Sequence, residues 1–124
     1  NYTQVRVQFG RTIGSFQAIK HRCADLLLAV ELAKSAAYFA AESVGRETEN
    51  LAVNASIAKA EASETYLLAA LETIQLHGGI GFTWENDTHL WFKRAKSSEV
   101  LLGDPSWHRK RLIDELVRAS GDQV

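Results

Sequence analysis

Apolar residues recur along the chain at steps of three and four, the spacing that places them on one face of an α-helix. One series consists of Ile19, Cys23, Leu26, Val30, Ala33, Ala37, Ala40 and Val44. A second series consists of Leu51, Ala55, Ala58, Ala62, Leu67, Ala70 and Ile74. Because β-branched residues nowhere alternate with polar ones over the length of a strand, the pattern predicts two long amphipathic helices in an all-α chain.

Glycine positions divide the rest of the chain into shorter blocks. Residues 2–8 are predicted to be the last turns of a helix, and a loop over residues 9–14 follows. Ser15 is then a candidate N-cap of the first long helix, because its hydroxyl can accept a hydrogen bond from a free backbone N–H. The polar segment 45–50 is predicted to reverse the chain between the two long helices.

Two shorter helices are predicted towards the end of the chain, over residues 86–100 and 105–117. Pro105 suits the first turn of a helix, where no hydrogen bond is lost, and Asp104 before it is a natural N-cap. With the two long helices, they predict a single helical domain over residues 1–124. The expected fold is an antiparallel, up-and-down helical bundle.

Composition and charge exclude several classes of function. The chain has 14 basic and 15 acidic residues, whereas a nucleic-acid or anionic-membrane surface needs clustered positive charge. Its single cysteine, Cys23, excludes an internal disulfide, and the four histidines form no metal-binding helical pair. No apolar run approaches the ~20 residues that cross a bilayer. We therefore expect no metal, no nucleic-acid partner, no membrane partner and a cytoplasmic location.

Two segments contain residues that could bind a ligand, and each also has a purely structural interpretation. Residues 78–81 are glycine-rich but follow a predicted helix, which favours a helix C-cap over a dinucleotide loop. Glycines would still allow a ligand to approach the backbone closely. Arg6, Gln8 and Phe9 could together bind a pyrophosphate and a flat ring system. Alternatively, Phe9 anchors the bundle beside an exposed arginine.

Five segments then occur in a characteristic order: RVQFGRTI at 6–13, FQAI at 16–19, IAKA at 57–60, QLHGGIGFTWE at 75–85 and RAK at 94–96. In this order and spacing they resemble the C-terminal helical domain of acyl-CoA dehydrogenases. Each segment alone is a weak signal, but together they are specific. The resemblance covers residues 2–116, which is nearly the whole chain.

The resemblance implies a flavoenzyme that oxidises an acyl-CoA thioester to the trans-2-enoyl-CoA. In such enzymes a carboxylate removes the α-proton and the β-hydrogen passes as a hydride to FAD. The electrons usually continue to an electron-transfer flavoprotein. A complete subunit also has an N-terminal helical domain and a middle β-domain. The chain is therefore expected to be the C-terminal fragment of a three-domain protein, inactive alone, that assembles as a homodimer or tetramer.

The resemblance also implies which residues contact FAD. They are Arg6, Gln8, Phe9, Phe16, Gln17, Gln75, Leu76, His77, Gly78 and Gly79. Arg6 is expected near the pyrophosphate, because arginine presents a fixed fork of donors to phosphate oxygens, and Phe9 against the adenosine half. The segment from Gln75 to Gly79 is expected to approach the FAD of a neighbouring subunit.

One position departs from the family pattern. Many members have the catalytic Glu directly before a glycine, where this chain has Leu102 before Gly103. Leucine cannot accept a proton, so no catalytic residue is assigned within the chain. The base can lie on a preceding helix, or the chain can belong to a base-less structural subunit that assembles with a catalytic partner. The resemblance also implies that the backbone N–H at this position helps polarise the thioester carbonyl, a role that Leu102 can keep because it needs no side chain.

Overall fold

A computed structural model describes residues 1–46 and 50–121 of the protein. The elements in these residues are α1 (Tyr2–Val5), β1 (Val7–Gln8), β2 (Arg11–Thr12), a 3-10 turn (Ile13–Ser15), α2 (Gln17–Gly45), α3 (Leu51–His77), a second 3-10 turn (Gly78–Phe82), α4 (Thr88–Val100) and α5 (Pro105–Gly121). The predicted all-α bundle is confirmed. Of the predicted reversal at 45–50, residues 47–49 lie outside the described part of the chain.

Helix α3 is the centre of the bundle, since it packs against α2, α4 and α5. Most of the buried side chains are small, and Ile13 and His108 are larger exceptions; the small ones on the helices include Ala33, Ala60, Ala70, Ala95, Ser43, Ser56, Ser63 and Thr65. Small side chains let neighbouring helices approach closely, which leaves little room for large residues between them. Large apolar side chains consequently cover much of the outside of α2 and α5, including Leu28, Leu32, Ile113 and Leu116.

The apolar series predicted the extent of the long helices but not all of their buried faces. Cys23 on α2 is exposed, and so is Ala62 on α3. Ser43 and Ser56 are buried instead, at 4% and 1% exposure. The Ser43 hydroxyl donates to the carbonyl of Phe39 one turn earlier at 2.9 Å, so its burial costs no hydrogen bond. A pattern that counts serine as polar cannot identify such a face.

The N-terminal segment differs from the predicted end of a helix. Helix α1 stops at Val5, and Val7–Gln8 pairs antiparallel with Arg11–Thr12 in a two-residue hairpin. Its turn is formed by Phe9 and Gly10, with φ of 53° and 76°. Two successive left-handed residues give the turn whose twist matches a tight hairpin.

Of the two predicted helix N-caps, one is confirmed and one is wrong. The Asp104 carboxylate accepts the Trp107 N–H at 2.7 Å, as expected at the start of α5. The Ser15 hydroxyl instead donates to the carbonyl of Thr12 at 2.6 Å, inside the 3-10 turn. The N-cap of α2 is Phe16, which makes no side-chain cap bond.

Side chains of α3 bind the two C-terminal helices. The Lys59 ammonium donates to Ser63 Oγ at 2.6 Å and to the carbonyls of Ser98 and Glu99, at 3.0 and 3.2 Å, in the last turn of α4. A cation at this end of a helix also interacts favourably with the helix dipole. Glu64 forms a bidentate ion pair with Arg109 on α5. The hydrogen bonds from Arg109 lower the pKa of the Glu64 carboxyl.

The ends of the two C-terminal helices differ slightly from their predicted positions. Helix α4 begins at Thr88, two residues later than expected, and α5 continues to Gly121. The Thr88 hydroxyl donates to the carbonyl of Gly81 at 2.9 Å, which ties the start of α4 to the glycine-rich turn. Among the described residues, no helix combines the length and the apolar character that crossing a membrane requires.

Candidate functional site

A cavity of about 680 Å³ lies where the N-terminal hairpin meets the C-terminal end of α3. Nine of the ten residues predicted to contact a cofactor line it: Arg6, Gln8, Phe9, Phe16, Gln75, Leu76, His77, Gly78 and Gly79. Gln17 does not; its amide nitrogen lies 3.1 Å from His21 Nε2 on the exposed surface of α2. Because both sequence segments line one cavity, a ligand there would contact them together.

Arg6 is placed by its backbone. Its N–H donates to the carbonyl of Tyr2 at 2.9 Å, which ends α1, and its carbonyl accepts the N–H of Ile13 at 2.9 Å. The Ile13 side chain is buried, so this second bond joins Arg6 to a fixed part of the fold. The exposed Arg6 side chain therefore extends from a rigid segment into the cavity.

Phe9 occupies an unusual position for an aromatic residue. It has a left-handed backbone with φ 53°, and its side chain is 91% exposed. Left-handed backbone at a bulky residue costs on the order of 1–2 kcal/mol and is concentrated at functional sites. Its ring meets the edge of Phe16 with centroids 6.2 Å apart, and the Arg11 guanidinium lies 4.0 Å above the Phe16 ring. The hairpin thus presents a flat apolar surface to the cavity.

The end of α3 forms the opposite wall. Gly78 has φ 61° and ψ −138°, a region that only glycine adopts readily, and its N–H donates to the carbonyls of Ile74 and Gln75. A Cβ on Gly79 would meet no atom within 4 Å, so its backbone faces open space. Gly81 is different, because a Cβ there would lie 2.7 Å from the carbonyl oxygen of Ile74. The helix-cap interpretation thus holds for Gly78, while Gly79 remains accessible to a ligand.

His77 connects this wall to the hairpin side. Its ring stacks on Tyr2 with centroids 3.9 Å apart, and its Nδ1 lies 2.7 Å from the carbonyl of Thr73. A carbonyl only accepts, so Nδ1 carries the proton and donates in this bond. The imidazole therefore fixes the position of α1, and with it Arg6, relative to the end of α3.

Arg22 is a lining residue that none of the sequence motifs contains. It lies on α2 one turn beyond Ala18 and Ile19, which also line the cavity, so helical periodicity from those positions would have found it. Its guanidinium lies 3.4 Å from the Glu72 carboxylate. Among the described residues that line the cavity, none is Asp or Glu, and its two arginines are Arg6 and Arg22, of which Arg22 has its charge partly offset by Glu72.

Leu102, which the resemblance aligns with a catalytic Glu, lies elsewhere, in the turn between α4 and α5. Leu102 has φ 62° and is 81% exposed, and Gly103 follows with φ 100°. The neighbouring N–H groups are both hydrogen-bonded: Leu101 N–H donates to the carbonyl of Ser97, and Gly103 N–H donates to the carbonyl of Val100. The Leu102 N–H between them has no acceptor among the described residues. This turn therefore presents a backbone donor and an apolar side chain.

Residues 1–117 match the family model for the C-terminal domain of acyl-CoA dehydrogenases. The chain is 48% identical over 115 residues to the acyl-CoA dehydrogenase IpdE2 of Mycobacterium tuberculosis, covering 93% of this chain and 34% of that protein. A solved structure described as the Tcur3481-Tcur3483 steroid ACAD G363A variant superposes with a TM-score of 0.90 at 31% identity, over 97% of this chain and 33% of that one. The structure of butyryl-CoA dehydrogenase from Megasphaera elsdenii superposes with a TM-score of 0.88 at 28% identity. The match covers 94% of this chain and 30% of that one.

The chain belongs to the acyl-CoA dehydrogenase family, of which it forms the C-terminal helical domain. It spans about a third of the length of the relatives that it matches. Members of this family are FAD flavoproteins. The cavity fits such a cofactor, because two arginines suit a pyrophosphate, an exposed ring suits a flat heterocycle and an open glycine backbone permits close approach.

Proposed function

We propose that this chain is the FAD-binding and oligomerisation domain of an acyl-CoA dehydrogenase with three domains. The complete enzyme would oxidise an acyl-CoA to the trans-2-enoyl-CoA. The observation that supports this most strongly is the cavity, which gathers nine predicted cofactor residues from two distant segments and adds a second arginine. An electron-transfer flavoprotein is the proposed electron acceptor, and the cytoplasm the proposed location.

In this proposal each wall of the cavity has a separate role. Arg6 and Arg22 bind the pyrophosphate, and the Phe9 ring packs against the adenosine half. The open backbone at Gly79 lets the cofactor lie close to the end of α3. When bound, FAD supplies the hydride acceptor for the oxidation. Since both walls line one cavity, Gln75 to Gly79 would contact the same FAD as Arg6. The expectation that this FAD belongs to a neighbouring subunit stays a prediction.

The proposal of an oligomerisation domain rests on the apolar outer faces. Leu27, Leu28 and Leu32 on α2 are each more than half exposed. The same holds for Ile113 and Leu116 on α5. Leu28 and Leu32 lie one helical turn apart, as do Ile113 and Leu116, and neighbouring exposed apolar side chains are typical of protein interfaces. The rest of the subunit and further subunits are the proposed partners of these faces.

A second candidate function is a base-less subunit that supports a catalytic partner. The apolar, exposed Leu102 favours it, since no carboxylate occupies the usual position. One structural relative is described by two protein names together, as Tcur3481-Tcur3483. Under this alternative the Leu102 turn would contribute its backbone alone, and the proton would be removed elsewhere.

The test is anaerobic bleaching of the flavin in the full-length protein by acyl-CoA thioesters. The panel consists of butyryl-CoA, octanoyl-CoA, palmitoyl-CoA and a steroid side-chain CoA thioester. The steroid thioester is included because one structural relative is described as a steroid enzyme. Bleaching by at least one thioester is expected, and failure with all four would refute the enzyme proposal.

The same assay on Leu102→Glu separates the two candidates. With a base on a preceding helix, a second carboxylate adds no rate, because two neighbouring carboxylates repel. In a base-less subunit the new carboxylate creates turnover, since a general base contributes on the order of 100- to 10,000-fold. A gain in bleaching thus selects the base-less subunit.

A further inference from the structure

The turn between α4 and α5 is held more firmly than its exposure suggests. The peptide group joining Leu102 and Gly103 is bound on both sides: its N–H donates to Val100 O at 3.4 Å, and its carbonyl lies 3.1 Å from His108 Nε2. Leu101 N–H in turn donates to Ser97 O at 3.3 Å. The Leu102 N–H therefore lies between two fixed peptide groups, and their orientation determines its direction.

His108 reaches this carbonyl from the first turn of α5. The residue is only 7% exposed, and its Nδ1 has no partner among the described residues. Since a carbonyl only accepts, the bond requires the tautomer with the proton on Nε2. An imidazole in this position has one polar contact, and that contact is the Leu102 carbonyl. Among the described residues, the one hydrogen bond of this imidazole is therefore the bond that holds the turn.

Two further contacts hold the turn against the start of α5, where the same imidazole lies. A Cβ on Gly103 would lie 2.7 Å from the Trp107 ring and 3.2 Å from His108 Nε2, so the backbone packs directly on both side chains. The Asp104 carboxylate accepts the Trp107 N–H, and the Asp104 carbonyl accepts the His108 N–H at 3.1 Å. The start of α5 is therefore a fixed platform for the left-handed Leu102.

We propose that His108 is a positioning residue for acyl-thioester binding: its Nε2–H holds the Leu102–Gly103 peptide so that the free Leu102 N–H points at the thioester carbonyl. The inference rests on the proposed function and adds to it the residue, His108, that keeps the Leu102 N–H oriented towards the thioester. Leu102 contributes through its backbone, and His108 acts only through Leu102. Neither residue lines the cofactor cavity, so loss of the His108 bond leaves FAD binding intact.

The test uses the full-length, FAD-loaded protein and three substitutions. His108→Leu removes the donor, and His108→Gln keeps an N–H donor at a similar distance from the backbone. His89→Leu is the matched control, because His89 is half-buried beside Phe82 and Trp84, outside the turn and the cavity. The measurements are the limiting rate of flavin bleaching and the dissociation constant for each of the four CoA thioesters. FAD content and hydrogen exchange of the peptide over residues 100–104 are measured in parallel.

A correctly aimed oxyanion donor contributes about 100- to 1,000-fold in rate, so a displaced one is expected to cost roughly 10- to 100-fold in the limiting rate of His108→Leu. Hydrogen exchange at 100–104 should accelerate in the same variant. The thioester dissociation constant should change much less, and FAD content should not change. His108→Gln should recover most of the rate and the protection, and His89→Leu should behave as the unsubstituted enzyme.

Three results would overturn the inference. One is an unchanged limiting rate in His108→Leu, and another is an equal loss in His108→Leu and His108→Gln. If His108→Leu does not fold, Gly103→Ala displaces the same peptide through Trp107, and an unchanged rate there would be the third. Absence of bleaching in the unsubstituted protein is distinguishable from all of these, because it refutes the proposed function itself and the inference with it.

Discussion

The cavity and the Leu102 turn differ in the groups that they offer to a ligand. In the cavity these groups are side chains: two guanidinium groups, an exposed aromatic ring and an imidazole that joins two segments. In the turn the group is a backbone N–H, and the side chain is an apolar leucine. A binding site can therefore be recognised from residue types, whereas a backbone donor can persist where the residue type indicates nothing.

Distance also separates the two regions. Lys59 on α3 contacts the last turn of α4 just before Leu102, while His77 on the same helix lines the cavity. Eighteen residues at the helical rise of 1.5 Å place these points about 27 Å apart along α3. Substitutions in one region should consequently leave the function of the other unchanged.

The largest effect on stability is expected from Gly78→Ala, which places a side chain on a backbone conformation that suits only glycine. Strain of this kind costs about 1–3 kcal/mol and should lower the unfolding free energy of the apo protein by that amount. Thermal and urea unfolding of the full-length protein measure it. The cavity wall should be distorted as well, so FAD is also expected to bind less tightly.

Gly79→Ala is the matched substitution, because a Cβ there meets no atom within 4 Å. Apo stability should stay within about 0.5 kcal/mol of the unsubstituted protein. FAD binding should nevertheless weaken, since the new methyl group occupies space that the cofactor is proposed to use. Equal stability losses in the two variants would contradict the difference between the two glycines, and unchanged FAD affinity in Gly79→Ala would contradict close approach at this point.

A smaller effect is expected from Lys59→Met, at the turn end of α3. The change removes hydrogen bonds from a charged donor to Ser63 and to two carbonyls of α4, which together should cost about 1–2 kcal/mol in unfolding free energy. FAD content should not change, because the cavity is distant. Lys34→Met is the control: its ammonium pairs with Glu31 on the exposed surface of α2, and no measurable change is expected there. Loss of FAD in Lys59→Met would show that the regions are coupled.

The bundle could be predicted because helical periodicity is a local pattern, whereas nine of the residues that line the cavity were named only by the family resemblance. Helical periodicity located the long helices, and the motifs around Arg6 and Gly78 contain the residues that meet in space. The tertiary step, that both motifs line the same cavity, does not follow from either motif alone. The expectation that Gln75 to Gly79 approach the FAD of a neighbouring subunit stays a prediction.

Two features that the sequence did not indicate have identifiable physical causes. The hairpin turn at Phe9 was missed because a two-residue strand has no readable alternation and an aromatic residue seldom adopts positive φ. Trp84 is 92% exposed, although its size suggests burial. Its indole stacks on His89 and lies 5.3 Å from the Lys93 ammonium instead. In a bundle whose core consists of small residues, hydrophobicity is a poor guide to which side chains are inside.

The most direct test of the central claim is the FAD dissociation constant of full-length Arg6→Ala. Loss of a charged hydrogen bond to phosphate should weaken binding by about 1–3 kcal/mol, or roughly 5- to 150-fold. Arg94→Ala is the control, since Arg94 is an exposed arginine on α4 that does not line the cavity. Weaker FAD binding in Arg6→Ala alone is the predicted result. Equal FAD affinity in both variants and the unsubstituted protein would contradict the assignment of the cavity as the FAD site.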